Sequence, residues 1–314
     1  MKRIFILLFI SLHLIRGNAQ QDPQFSQSMF NIMMYNPGYV GSKNAICATA
    51  LNRQQWMGFE GAPVSSVFTV NSPFRLFGTD HGAGLHILND QIGFESNLSI
   101  NMSYAYRIDA GSGKLSFGFG LGMINTTLDA EWYIPAGGSH TPASGDPSIP
   151  AGNESVLTMD FSAGLFYHTD DLYFGISSTH LNEPAIEYSS TATPFLSRHF
   201  YITAGYAMYG KNPAYRFLPA LVIHSDLVMT QLNLGGLLEY NERLWGGIYY
   251  RFGSAIVGIA GFELFNGINI GYSYDFSTTT LSNHSRGTHE FMLRYSFDLG
   301  MDRRPGKYRS VRIL

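Results

Sequence analysis

The chain has little charge and almost no cysteine. Of its 314 residues only 14% are Asp, Glu, Lys or Arg, whereas a soluble domain carries about 25%, so something other than water surrounds much of this surface. The single cysteine, Cys47, permits no internal disulfide. It also lies too far from the start to take the lipid of a lipoprotein, which leaves it the role of a small apolar side chain. Basic residues are not in excess, with 20 Lys and Arg against 23 Asp and Glu, and no nucleic-acid-binding face follows from them. After the first 19 residues no continuous apolar run reaches the roughly 18 needed for a transmembrane helix.

What is present begins with Met1, Lys2 and Arg3, then an apolar run from Ile4 to Ile15 broken only by Ser11 and His13, then Gly17-Asn18-Ala19. A charged start, a short apolar stretch and a small-x-small site are the order of a secretory signal peptide, cut after Ala19. Removing Lys2, Arg3 and Arg16 with it leaves 17 basic against 23 acidic residues, a net charge of about −6. Aromatic residues make up 14% of the chain and there are 34 glycines. An exported chain rich in both, poor in charge and without a spanning helix crosses a membrane as strands.

The side-chain pattern agrees. Between Asn97 and Ile108 the residues Leu98, Ile100, Met102, Tyr104, Tyr106 and Ile108 alternate with Asn97, Ser99, Asn101, Ser103, Ala105 and Arg107. Successive strand side chains point to opposite faces, so one face is apolar and the other polar. The same split recurs in 115–123, where Gly118, Gly120 and Gly122 oppose Phe117, Phe119 and Leu121, and again in 268–276 and 290–299. Several segments run to 11 or more residues, closer to tilted membrane strands than to globular ones. Tyr104, Tyr106, Tyr201, Tyr206, Tyr209, Tyr249 and Tyr250 sit near segment ends, as an interfacial girdle requires.

Turn signals divide the chain into about fourteen strands, near 46–56, 65–74, 81–91, 95–108, 114–129, 156–168, 171–181, 198–209, 215–225, 229–240, 244–253, 255–264, 267–277 and 288–299. The fold expected is an all-β, transmembrane, antiparallel up-and-down barrel over residues 45–299. A segment at 20–44 precedes it, periplasmic or acting as a plug, and a periplasmic tail at 300–314 follows. The longest connections, 130–155, 182–197 and 278–287, follow odd-numbered strands, while those after even strands are short. Bacterial barrels keep short turns and both termini in the periplasm, which places the long loops outside.

Few residues suggest chemistry. His168-Thr169-Asp170 and His224-Ser225-Asp226 place triad residue types close in sequence, but a triad is a spatial arrangement. The ten histidines show no paired ligand spacing, so the sequence proposes no metal site, and Gly118-Phe119-Gly120-Leu121-Gly122 is a strand with no helix after it to make a phosphate loop. No catalytic residue and no cofactor is expected. The stretch 20–44 alternates poorly yet carries Met29, Phe30, Met33, Met34 and Tyr35. These apolar side chains need a partner, either the lumen or another protein.

Gln21-Asp22-Pro23-Gln24-Phe25-Ser26-Gln27, then Tyr35-Asn36-Pro37-Gly38-Tyr39-Val40-Gly41, then Arg53-Gln54-Gln55-Trp56-Met57-Gly58-Phe59 with Gly61-Ala62-Pro63, resemble the opening of the PorP/SprF family of type IX secretion system membrane proteins. Arg286-Gly287-Thr288-His289-Glu290 and the tail Tyr308-Arg309-Ser310-Val311-Arg312 resemble it too. Gly38 stands where the family usually has alanine, and Val311 where proline is common. The resemblance implies a non-enzymatic outer-membrane barrel for secretion or surface attachment of a large adhesin, a role tied to gliding motility. Its implied partners are the adhesin's C-terminal domain, periplasmic or outer-membrane components of the secretion system, and outer-membrane lipid. The barrel and its polar lumen alone leave an outer-membrane porin or substrate-specific channel as the alternative. The residues the resemblance offers for partner binding are Asn36, Pro37, Gly41, Arg53, Gln55, Trp56, Gly58, Pro63, Arg286, His289 and Glu290. From Arg53 to Pro63 these belong to the first hairpin, where Arg286, His289 and Glu290 also arrive if the barrel closes. Hairpin and seam stabilisation is the other role open to them.

Overall fold

The computed structural model of the chain describes residues 22–129, 153–188, 194–264 and 267–298. Its strands are β1 (Ala45–Gln54), β2 (Val64–Leu76), β3 (Thr79–Ile92), β4 (Glu95–Ala110), β5 (Gly113–Asp129), β6 (Asn153–His168) and β7 (Leu172–Thr179). They continue as β8 (His199–Tyr206, resumed at Met208–Tyr209), β9 (Tyr215–Ser225), β10 (Thr230–Tyr240), β11 (Leu244–Arg251), β12 (Ala255–Glu263), β13 (Ile268–Ser277) and β14 (Thr288–Asp298). The two pieces of β8 pair with the same neighbour and are separated only by Ala207, whose N–H turns aside to the Asp171 carbonyl. Counted so, the sheet has fourteen strands, each antiparallel to the next. β14 pairs with β1 from Ala45↔Asp298 to Gln54↔His289, which closes the barrel.

The alternation read from the sequence is the wall of this barrel. Met102, Tyr104, Phe119 and Met123 are exposed on the outside, while Asn101, Ser103 and Arg107 are buried inside. The arrangement is the reverse of a soluble protein and suits a lipid-facing exterior. β4 and β5 run 16 and 17 residues. A tilted strand needs about 9 to 11 to cross the hydrocarbon, so these project beyond it. Tyr104, Tyr106, Tyr206, Tyr209 and Tyr250 lie on the outer face as the girdle requires, but Tyr201 and Tyr249 are buried in the lumen. Both fall on the inward register of their strands and pack inside.

Residues 1–21, where the sequence leads one to expect a signal peptide, most of the 130–155 connection and the 300–314 tail lie outside the described residues. The connections after β2, β4, β6, β10 and β12 are short turns at one end, the short-turn end. Those after β1, β7 and β13 are the longer ones at the other, the long-loop end. Among the described residues no helix is long and apolar enough to cross a membrane.

Candidate functional site

The lumen is filled by residues 22–44. This segment makes three short 3-10 turns, at Ser28–Phe30, Ile32–Met34 and Pro37–Tyr39, and almost all of it is buried. Asp22 contacts Thr179 at the long-loop end of β7, and the backbone at Gly41 lies against Gly82 near the short-turn end of β3. The segment therefore starts at the long-loop end and descends through the barrel before β1 starts back up. Because it is threaded through the lumen, Asp22 lies opposite the short-turn end, where the sequence expectation put both termini. Phe30 packs on Trp245 with ring centres 5.6 Å apart, Tyr35 on Tyr201 at 5.0 Å, and Tyr39 edge-on to Phe166 at 5.3 Å. The apolar side chains that looked unpartnered in the sequence find their partner in the barrel wall.

Two features of the wall make this fit. A Cβ at Gly118 would collide with the backbone of Pro37 and Gly38, and one at Gly82 with the Val40 carbonyl. Glycine there lets backbone approach backbone. Above Gly118, the Asn36 side chain caps the last turn, accepting from the Gly38 N–H at 2.8 Å while its Nδ2 donates to the Leu165 carbonyl at 2.9 Å. Pro37 opens that turn, where the missing N–H is harmless.

Near the long-loop end a buried ionic lock holds the segment. Arg53 on β1 donates Nη2 to Asp275 on β13 at 2.8 Å and Nη1 to Glu290 on β14 at 3.3 Å, and Arg251 on β11 reaches Asp275 at 2.9 Å. Two arginines and two carboxylates balance in charge. Ser26 sits in their midst, its Oγ donating to Asp275 at 2.6 Å and accepting from Arg53 and Arg251 at 2.8 and 3.0 Å. The Glu290 carboxylate accepts the backbone N–H groups of Ser26 at 2.7 Å and Gln27 at 2.8 Å. Charge-assisted bonds of this kind are the strong ones, and here they fix main chain as well as side chain.

A second cluster holds the start of the segment. Asp22 accepts from the Tyr201 hydroxyl at 2.8 Å and Thr179 Oγ1 at 3.2 Å, and pairs with His180 Nε2 at 2.8 Å. His180 Nδ1 meets Asp160 at 2.9 Å. Burial alone would raise the Asp22 carboxyl, but His180, His199 and His224 bring it well below the usual carboxylate range. Burial alone would make His180 harder to charge, yet Asp22 and Asp160 push it up to about 10. Gln24 donates to His224 Nδ1 at 3.2 Å with the ring taken as its acceptor tautomer. Beside this cluster lies a cavity of about 390 Å³ whose walls include Asp22, His86, Asp90, Glu95 and Asn97.

Of the residues singled out from the sequence, Asn36, Pro37, Gly41, Arg53 and Glu290 are buried and belong to the seat and the lock. Arg53 and Glu290 are register partners across the closing seam. Gln55 and Pro63 are half-buried at the base of the first long loop, where the Gln55 N–H donates to the Pro63 carbonyl at 2.9 Å. Trp56 takes a left-handed φ of 50° and donates its N–H to Thr288 Oγ1. Met57 and its neighbours join the β13–β14 loop, with Met57 N–H to Gly287 O at 2.9 Å and Arg286 N–H to Met57 O at 2.8 Å. Gly58, at φ 89°, lies against the Arg286 side chain. Arg286, Gly58 and Phe59 are exposed there, and His289 faces outward against Tyr272 and Tyr274.

Ser26, Arg251, Asp275, His180 and His199 are the functional residues the sequence did not single out. Asp275 and Ser26 were visible on a polar face and in a motif, but their meeting depends on closure of the barrel. The two His-Ser/Thr-Asp stretches do not assemble a triad: His168 stacks on Phe166, and the Ser225 hydroxyl bonds the Met229 carbonyl and Thr230 while His224 turns to Gln24.

Residues 17–295 match the family described as type IX secretion system membrane protein PorP/SprF. No curated protein matches the sequence. Among solved structures the chain is similar to a FadL homologue of Pseudomonas aeruginosa, at 11% identity and a TM-score of 0.49, covering 90% of this chain and 96% of that one. It is also similar to the toluene transporter TbuX of Ralstonia pickettii, at 12% identity and a TM-score of 0.46, covering 85% and 92%. The translocator domain of the autotransporter NalP from Neisseria meningitidis aligns at 14% identity and a TM-score of 0.44, covering 81% and 88%.

Proposed function

The chain belongs to the family of type IX secretion system membrane proteins PorP/SprF, and on that premise we propose that it is a non-enzymatic docking barrel of the outer membrane. It supports secretion or surface attachment of a large adhesin through that substrate's C-terminal domain. A signal peptide cut after Ala19 exports it, its short turns face the periplasm and its long loops face outward. Periplasmic or outer-membrane components of the secretion system engage the same barrel.

The observation that carries this reading is the filled lumen. A diffusion pore needs a water-filled path, whereas here residues 22–44 run down the interior and are held by buried ion pairs. The matched motifs coincide with that device: Ser26, Gln27, Asn36, Arg53 and Glu290 are its anchors. The stitched loops carrying Gly58, Phe59 and Arg286 then provide an exposed face on a rigid base. Partner binding falls to that exposed face, and the buried motif residues serve it by holding the base. A barrel built around an internal strut suits docking better than diffusion.

Deletion of the gene tests the proposal. Loss of one surface adhesin, with outer-membrane permeability unchanged and restored by the wild-type chain, is the expected result. An adhesin that remains exported and attached overturns it.

A further inference from the structure

Asp22, His180 and His199 each turn one ligand atom toward the others, all within 4.8 Å, where the start of the interior segment meets the wall. We propose that these three side chains bind a divalent transition-metal ion, of which Zn²⁺ is the fitting case, and that the ion pins the N-terminal end of the segment inside the barrel.

The strongest observation is His199. Its side chain is 2% exposed, yet neither ring nitrogen has a hydrogen-bond partner, and the Asp22 carboxylate lies 3.8 Å from Nδ1. A buried polar group left unsatisfied costs about 1 to 3 kcal/mol. A metal ion between His199 and Asp22 removes that penalty for the ring nitrogen that ligates it. The Nε2 of His224 is likewise buried without a partner, and its ring lies 4.7 Å from that of His199.

The surroundings have the form of a supported metal site. A ligating histidine ordinarily gives its second nitrogen to a carboxylate, which fixes the ring and raises its basicity. His180 does this, with Nδ1 on Asp160 at 2.9 Å and Nε2 directed at Asp22. The Asp22 carboxylate is oriented in turn by Tyr201 and Thr179. The ion displaces the proton between His180 Nε2 and Asp22, and its second positive charge is offset by the Asp160 carboxylate on the far side of the His180 ring.

The donor set selects the ion. Two imidazoles and one carboxylate suit Zn²⁺, which takes three protein ligands at about 2.0 to 2.2 Å and leaves a fourth position open. Ca²⁺ wants six to eight oxygens and Mg²⁺ an octahedron of them, which this cluster does not offer. A route in exists, because Asp22, His180 and His199 border the cavity near the long-loop end, together with the carboxylates of Asp90, Glu95 and Asp160. That acidic lining draws a cation inward.

The test uses the full chain, purified in detergent, stripped with EDTA and dialysed against Zn²⁺. Elemental analysis is expected to return about one zinc per chain, with His199→Gln and Asp22→Asn losing it and His168→Gln, far from the cluster, keeping it. Asp160→Asn, which disturbs the support of His180 without removing a ligand, is expected to weaken zinc binding about 10- to 100-fold. Co²⁺ substitution should give the intense visible bands of a tetrahedral site in the wild type and His168→Gln, and not in His199→Gln or Asp22→Asn. Failure of the stripped wild type to take up zinc overturns the proposal whether or not the variants fold. So does equal zinc content in folded His199→Gln and wild type.

Discussion

Arg53 and Glu290 stand directly opposite each other in the β1–β14 register and face into the lumen, so the strand pair that closes the barrel also grips the segment inside it. The Arg53 guanidinium bridges Glu290 and Asp275, and Glu290 holds two backbone N–H groups of the segment. Closure of the wall and docking of the interior thus rest on the same residues.

Breaking this lock from one side leaves buried charge without its partner. Arg53→Met is expected to destabilise the folded barrel by roughly 3 to 5 kcal/mol. The double variant Arg53→Met with Glu290→Gln, which removes both charges of that pair and keeps an oxygen for the segment's N–H groups, should lose less than the single one. Urea unfolding in vesicles measures both, and a single variant as stable as wild type would contradict the assignment.

Gly118 is the point where the wall must stay bare. Gly118→Leu pushes its side chain into the backbone of Pro37 and Gly38 while leaving the outward face of β5 untouched. The barrel is expected to form, with the interior segment displaced and newly open to protease near Tyr35. Unchanged protection of that segment would show that it is not seated against Gly118.

The outer face is set for lipid. Met102, 67% exposed on β4, becomes a buried charge in hydrocarbon when changed to Arg, at a cost of about 2 to 4 kcal/mol near the midplane. Ser99, on the opposite face of the same strand and bordering the cavity, should accept Lys at much lower cost. Refolding equilibria in lipid vesicles compare the two, and equal effects would overturn the inside-out assignment.

Reading the sequence forward went far for the wall and less far for its contents. Period-two alternation works because each strand is half lipid and half lumen, and it located fourteen strands with most ends near their observed places. It missed the early end of β7 at Thr179, where the chain leaves the sheet so that His180 can turn to Asp22 and Asp160. It also missed the break of β8 at Ala207. Tyr201 and Tyr249 looked like girdle residues because aromatic character is blind to which face a side chain takes. The segment 22–44 was legible as apolar and in need of a partner, and the lumen was one of the two partners open to it, but nothing local decided between them. The Asp22, His180 and His199 cluster left no spacing signal at all, since its members come from three separate parts of the chain and meet only inside the closed barrel.

The exposed loops offer the partner test. Phe59, 49% exposed, and Arg286 lie on the stitched β1–β2 and β13–β14 loops without holding the lock. Phe59→Ser with Arg286→Ala is expected to leave barrel stability within about 0.5 kcal/mol, as surface changes usually do, while surface display of the adhesin falls severalfold. Display at the wild-type level would move the docking face elsewhere.

Conductance in a planar bilayer tests the central claim most directly, namely that this barrel is built around an occupied lumen and serves docking in place of diffusion. The intact chain is predicted to show no steady conductance, and a variant lacking residues 22–36 is predicted to open a steady channel. A steady conductance of the intact chain equal to that of the truncated one would contradict the account.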